Sequence, residues 1–226
     1  MHSNGYCRNP ADMSRKDETA PLSDNASPFR SREQKRADRE AKRQAVLLAA
    51  VRMFNERGYH ATSLDDVAAS LGISKPTIYH YLGNKEQVLL TCLGTGLDRL
   101  ADAAVEAREM AGNGAERLRA FMTRYAEFNM RDFGRCVILT QETDLSVDGA
   151  RQFRADKRKI HEMIRDMIVE GQADGSIAQV DPTLLAFTMA GAINWTAHWF
   201  RSRKPGDEGE VASRMVAMLW AGLEPR

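Results

Sequence analysis

The chain reads as all-α, with about nine helices. Three observations carry that reading. Apolar residues recur at helical spacing from Ser31 almost to the C-terminus. No stretch alternates apolar and polar residues over a useful strand length, and no segment repeats. Helix-starting residues stand ahead of the apolar runs, and glycines stand behind them.

Leu47, Ala50, Val51 and Phe54 fall at i, i+3, i+4 and i+7, one face of a first helix that stops near Gly58. Ser63-Leu64-Asp65-Asp66 has capping-box form with Asp in place of Glu, and opens a short helix over Leu64–Leu71 that ends at Gly72. Ser74 can cap a third helix, Lys75–Tyr81, whose first turn tolerates Pro76. Asn84 caps a fourth that runs toward Met110. After Gly112-Asn113-Gly114, Leu118, Phe121, Met122 and Tyr125 share one face of a helix over Ala115–Asp132, and another helix is expected over Arg135–Glu142. Ile160, Met163, Ile164 and Met167 share a face of Arg151–Ala173. Asp181-Pro182 opens a helix to about Arg201, and Gly206-Asp207 opens the last, ending near Gly222.

At 226 residues the chain has room for one large domain or two small ones. Lys and Arg number 32 against 31 Asp and Glu, a net charge of +1, so affinity for nucleic acid or a membrane must come from local clustering. No apolar run reaches the roughly 18–20 residues that span a bilayer, and no membrane partner is expected. The richest stretch, Ala186–Phe200, is broken by Asn194 and His198. Residues 1–30 are polar and carry Pro10, Pro21 and Pro28. They have too little apolar surface to offset ordering entropy, and a disordered tail without a secretory signal is expected. Cys7, Cys92 and Cys136 are odd in number and widely spaced. They form neither a disulfide framework nor a CxxC pair, which fits a reducing cytoplasm.

The informative segment is Thr62–Leu89. Two short helices joined by Gly72-Ile73-Ser74 have helix-turn-helix spacing. The major groove of B-DNA, about 12 Å wide, admits one helix. A short second helix presents its N-terminal residues end-on to bases, and Lys75, Thr77, Tyr79 and His80 bring donors suited to phosphate oxygens and base edges. Helix-start N–H groups near Ser63 and Asn84 suit phosphates as well. Any αα-hairpin can produce the spacing alone. Here it comes with aromatic, lysine and capping positions over about 30 residues. Upstream, Arg30–Arg43 holds seven basic residues against three acidic ones. That run is either a DNA-contacting arm or a solvated helix face with pairs such as Arg36–Glu40.

These residues resemble the TetR family of bacterial transcriptional regulators. The resemblance runs through Gly58-Tyr59, Thr62-Ser63, Val67-Ala68, Leu71-Gly72-Ile73-Ser74, Thr77-Ile78-Tyr79-His80-Tyr81-Leu82 and Asn84-Lys85-Glu86. It is strong over about residues 40–90 and looser beyond. The family often has Phe where Tyr81-Leu82 stands and Ser or Asp at Gly83. The resemblance implies a homodimer, with a helix-turn-helix head over 31–85 and a ligand-binding and dimerisation body over 86–226. It also implies a palindromic double-stranded operator with half-sites about one helical turn, ~34 Å, apart. Carried over by position, Thr62 and Ser63 would contact phosphate, and Ser74 would open the reading helix. Lys75, Pro76 and Thr77 would face bases. Tyr79 and His80 would hold backbone phosphates, and Lys85 would add one from the fourth helix. A protein that binds all duplexes alike, or a regulator without a ligand, is the alternative.

For the body, the candidate ligand-binding residues are Phe121, Tyr125, Phe128, Asn129, Gln141, Met163, Met167, Asn194, Trp195, His198 and Trp199. Polar groups there interrupt apolar helix faces, as small-ligand cavities require. Ordinary core is the competing reading for most of the apolar ones. Asn194–Arg201 followed by Lys204-Pro205-Gly206 is similar to a branch of the family that senses acyl-CoA thioesters. That implies a CoA-type effector with cations for its phosphates, from among Arg131, Arg135, Arg151, Arg154, Lys157 and Arg158; a CoA-free lipophile is the runner-up. In the family the last two helices form a four-helix interface with their twofold mate, and Ala186, Ala190 and Gly191 would permit close approach. No catalysis is expected. GxSxG, a P-loop and a full GxGxxG are absent from the sequence, and Arg165 stands where His161-Glu162 would need a second zinc-binding His. Neither a cofactor nor a metal is expected.

Overall fold

A computed structural model describes residues 31–202, 204 and 206–221, and the expected tail at 1–30 lies outside the described residues. Among the described residues the fold is all-α, without strands. The helices are α1 (Arg32–Arg57), α2 (Leu64–Ser70), α3 (Lys75–Leu82), α4 (Lys85–Glu109), α5 (Gly114–Asn129), α6 (Asp132–Leu139), α7 (Val147–Ala173), α8 (Pro182–Asn194), α9 (Thr196–Trp199) and α10 (Asp207–Trp220). A single 3-10 turn, Glu142–Asp144, separates α6 from α7.

The starts follow the capping chemistry. Ser63 and Asn84 each accept the N–H three residues on and receive a side chain in return, from Asp66 and Gln87 respectively. Gly72 at φ +63° lets the chain reverse after α2, where a side chain would be strained. Three expectations shift. α6 forms three residues ahead of Arg135, leaving Glu142 to the 3-10 turn. α7 begins at Val147 because the Ser146 hydroxyl accepts from the Gly149 N–H at 3.2 Å. The single helix expected from Pro182 to Arg201 breaks at Trp195 into α8 and α9, which turns nine helices into ten among the described residues.

One continuous core runs from Val46 to Trp220. In the head, Val67, Ala68 and Ile78 are buried in the same core as Leu47 and Val51 of α1. α4 has 25 residues, about 37 Å, and carries the chain from the head into the body. There it packs on α5, α6 and α7. α1 also crosses into the body and packs on α6. Arg52 Nε meets Asp132 Oδ2 at 2.9 Å, and Asn55 Nδ2 donates to the Asp132 carbonyl at 2.8 Å. The head is therefore fastened along α4 and at the α1–α6 crossing.

α8 is apolar on every side. Ala186, Met189, Ala190 and Ile193 face the body and are buried, while Leu184 and Phe187 face out. Of the three small residues expected to admit a partner, Ala186 and Ala190 are thus turned inward, and Gly191 is exposed. On α10, Met218 is 77% exposed. No helix among the described residues is long and apolar enough to cross a membrane.

Candidate nucleic-acid interface and ligand cavity

α3 is anchored by two side chains, Ile78 and Leu82, and turns nearly everything else outward. Its eight residues span about 12 Å, the width of the major groove. Ser74, Lys75, Pro76, Tyr79 and His80 are exposed and Thr77 is half-buried. Ser74 makes no side-chain cap; its hydroxyl pairs with Thr77 Oγ1 at 2.8 Å. Lys75 Nζ reaches Asp65 Oδ2 at 2.7 Å, and that hydrogen bond raises its pKa. Tyr79 is 44% exposed, and its phenol stands free of the core. Ser63 caps α2, and its hydroxyl donates to Asp66 Oδ2 at 2.7 Å; that bond holds the Asp66 carboxyl below its usual range.

Two further expected phosphate contacts are otherwise engaged. Thr62 is buried at 1% exposure, and its hydroxyl faces the carbonyls of Gly58 and Met53 at 2.9 and 3.2 Å. It fastens the end of α1 to the start of α2 rather than presenting itself to a phosphate. Lys85 lies 4.3 Å over the Tyr59 ring and donates to the His60 carbonyl at 3.4 Å; burial pushes its pKa down.

In the body, α4, α5, α6, α7 and α8 line a cavity of about 440 Å³. Leu97, Leu100, Val137, Ile138 and Ile160 make its apolar wall, and Phe187 lies 4.4 Å from the His161 ring. At its polar end, Asn194 Oδ1 accepts from the Tyr125 hydroxyl at 2.7 Å and from Asn129 Nδ2 at 2.9 Å. Burial pushes the Tyr125 phenol up, so it stays a neutral donor. Asn129 is fully buried, and its Oδ1 has no hydrogen-bond partner among the described residues. Arg154, Lys157, Arg158 and His161 line the opposite side from one face of α7. Desolvation, with help from Lys157, pushes His161 down.

Of the expected ligand residues, the cavity gathers Tyr125, Asn194 and, through its hydrogen bond, Asn129. Phe121 and Met167 are fully buried core, and Met163 is partly buried beside them. Phe128 belongs to a different groove, with Leu48, Arg99 and Phe133. Gln141 is exposed at the junction between head and body. Trp195, His198 and Trp199 are exposed on the outer surface, with Trp195 at 63%. The break after Asn194 turns them away from the cavity. Of the expected phosphate-holding cations, Arg131 and Arg151 pair with Glu127 and Asp148 instead. His161 and Phe187, which the same interrupted helix faces also offered, line the cavity as well. The row Arg154, Lys157, Arg158, His161 falls at i, i+3, i+4 and i+7, a signal that was available. Cys92 and Cys136 are buried, which raises both thiols, Cys136 to about 12, and makes neither a nucleophile.

A two-helix reading unit on a stubby base, with a ligand-sized cavity in the helical body, defines a helix-turn-helix DNA-binding regulator. Residues 46–92 match the family of bacterial regulatory proteins called tetR, and residues 111–223 match the tetracyclin repressor-like C-terminal domain. The chain belongs to the TetR family of transcriptional regulators. The activator FasR of Mycolicibacterium smegmatis is 25% identical over 189 residues, 83% of this chain and 85% of FasR. The regulator PfmR of Thermus thermophilus superposes with a TM-score of 0.71 at 31% identity, covering 80% of this chain and 99% of PfmR. AibR, solved in complex with isovaleryl coenzyme A and operator DNA, superposes with a TM-score of 0.67 at 29% identity over 78% of this chain and 96% of AibR.

Proposed function

We propose that this protein is a cytoplasmic one-component repressor, a homodimer released from a palindromic operator by an acyl-CoA thioester. The head, 31–85, reads DNA; the body, 86–226, binds the effector and the second subunit. The observation that carries the reading is the cavity itself. Its apolar wall suits an acyl chain, and the Arg154, Lys157, Arg158 row suits the phosphates of the carrier. AibR's complex with isovaleryl coenzyme A and DNA supports the same pairing of ligand and operator in a similar fold. Ser74, Lys75, Pro76, Thr77, Tyr79 and His80 make the groove contacts, with phosphate bonded at Ser63 and, once its ammonium swings off Tyr59, at Lys85. The outward faces of α8 and α10, with Leu184 and Met218, meet their twofold mates. Trp195 and Trp199 extend that apolar face. The ligand acts only through its different affinity for the DNA-bound and released states, about 1–3 kcal/mol of coupling.

The test has two arms. Duplexes selected from a random pool should share a palindrome and be held against competitor DNA. An acyl-CoA panel should raise the melting temperature and release the selected duplex. Stabilisation by no thioester, together with release by a CoA-free lipophile, would discard the CoA effector. Equal retention of all duplexes would discard operator reading, and a reporter driven from the selected site separates repression from activation.

A further inference from the structure

We propose that Glu142 is a built-in stand-in for the effector's anion, and that displacing it unlatches the DNA-binding head. The inference rests on the effector reading of the cavity and adds how that site would be regulated. Arg154 and Lys157 face the cavity, yet both are already engaged by a carboxylate of the same chain. Arg154 Nη1 meets Glu142 Oε2 at 2.6 Å and Lys157 Nζ meets Glu142 Oε1 at 3.5 Å. The Arg154 hydrogen bond, first among several, holds the Glu142 carboxyl below its usual range. Arg158 lines the same wall without an ion pair among the described residues. A phosphate monoester carries about −1.5 to −2 charges at pH 7 and offers more acceptor oxygens than a carboxylate, so it competes well for such a pair.

Glu142 opens the three-residue turn that Asp144 closes, and Asp144 reaches the head. Its Oδ1 lies 2.9 Å from His60 Nε2, in the loop between α1 and α2. The surroundings tie that loop to the base of α4. The Lys85 ammonium donates to the His60 carbonyl, and the Ser146 N–H donates to Glu86 Oε1 at 2.7 Å. The turn is bonded into one piece, because the Asp144 N–H donates to the Gln141 carbonyl at 3.0 Å and the Leu145 N–H to the Glu142 carbonyl at 3.2 Å. A cleft of about 400 Å³ beside it, lined by Arg57, His60, Gln141 and Asp144, leaves room for that movement. Gln141 thus belongs to the latch, where its N–H donates to Asp144 Oδ2 at 2.9 Å. The Arg154–Glu142 pair is 52% and 38% exposed, so it is weak enough for a ligand to break.

The experiment compares wild type, Glu142→Gln and Asp144→Asn as full-length dimers. Inorganic pyrophosphate and isovaleryl coenzyme A are titrated by calorimetry, and hydrogen exchange is followed at residues 58–62. Glu142→Gln should bind pyrophosphate about threefold to fivefold tighter, the range expected when an exposed competing ion pair is removed. Without ligand, its loop at 58–62 should exchange as fast as ligand-saturated wild type. In Asp144→Asn the loop should already be fast, with pyrophosphate speeding it no further. Wild-type pyrophosphate affinity in Glu142→Gln overturns the stand-in, and wild-type loop exchange in that variant overturns the latch. If pyrophosphate binds as expected while no thioester binds, the latch stands and the acyl-CoA effector falls. If neither probe binds any of the three proteins, both fall.

Discussion

The head and the body use polar side chains in opposite senses. On α3, Lys75, Tyr79 and His80 point outward, and only Ile78 and Leu82 hold the helix down. In the body, Tyr125 and Asn129 point inward, onto Asn194, between helices that form one core. A surface that reads DNA can lose a contact side chain without losing stability, because nothing was packed on it. The polar end of the cavity cannot, because Tyr125, Asn129 and Asn194 are taken from water and hydrogen-bonded to one another. Function and folding are therefore separable by mutation in the head and entangled in the body.

The largest effect expected from that difference is in the head. Lys75→Ala combined with Tyr79→Ala removes two outward contacts from each subunit, at about 1–3 kcal/mol for each contact. Affinity for the selected operator should fall more than about a hundredfold. Melting temperature and dimer mass should stay as in wild type. Fluorescence anisotropy and analytical ultracentrifugation read the two sides; wild-type affinity with the wild-type salt slope would place the reading surface elsewhere.

Thr62 sharpens the contrast, because it lies in the head but behaves like a body residue. Its hydroxyl is buried against the Gly58 and Met53 carbonyls. Thr62→Val should cost about 1 kcal/mol, a fall in melting temperature of about 2–4 °C for a chain of this size. Operator affinity at low temperature should change little. Operator loss without a change in melting temperature would return Thr62 to the phosphate-contacting set.

The head was legible because its chemistry is local. Caps at Ser63 and Asn84, the turn at Gly72 and the outward row on α3 all follow from spacings shorter than a helix-turn-helix. Thr62 escaped, since no spacing shows that the last carbonyls of α1 curl back onto it. The body's helices were legible for the same reason, but its cavity was not. Periodicity marks an apolar face without saying whether that face meets core, cavity or solvent. Phe121 and Met167 went to the core, and Phe128 to another groove. α8 is apolar all round, so its sequence carries no sign of which side faces in. The break at Trp195 then sent Trp195, His198 and Trp199 outward. The α7 row of Arg154, Lys157, Arg158 and His161 was the one cavity wall written at helical spacing.

The smallest expected effect belongs to that wall. Burial, and Lys157 beside it, hold His161 below the ordinary histidine value of 6.5, and its Nδ1 is buried without a partner. Between the lowered value and 6.5 the unfolded chain binds more protons than the folded one. Stability should therefore fall as pH drops through that window, and hold level above it. His161→Gln should flatten this part of the acid limb in urea unfolding. An anionic effector placed against Arg154, Lys157 and Arg158 would favour the protonated ring, so binding should take up a proton and tighten as pH falls. In His161→Gln that pH dependence of affinity should shrink, whereas the head variant with Lys75 and Tyr79 replaced should keep it. An unchanged profile in His161→Gln would mean that the effector's charge sits away from α7, and that the body senses something other than an anion.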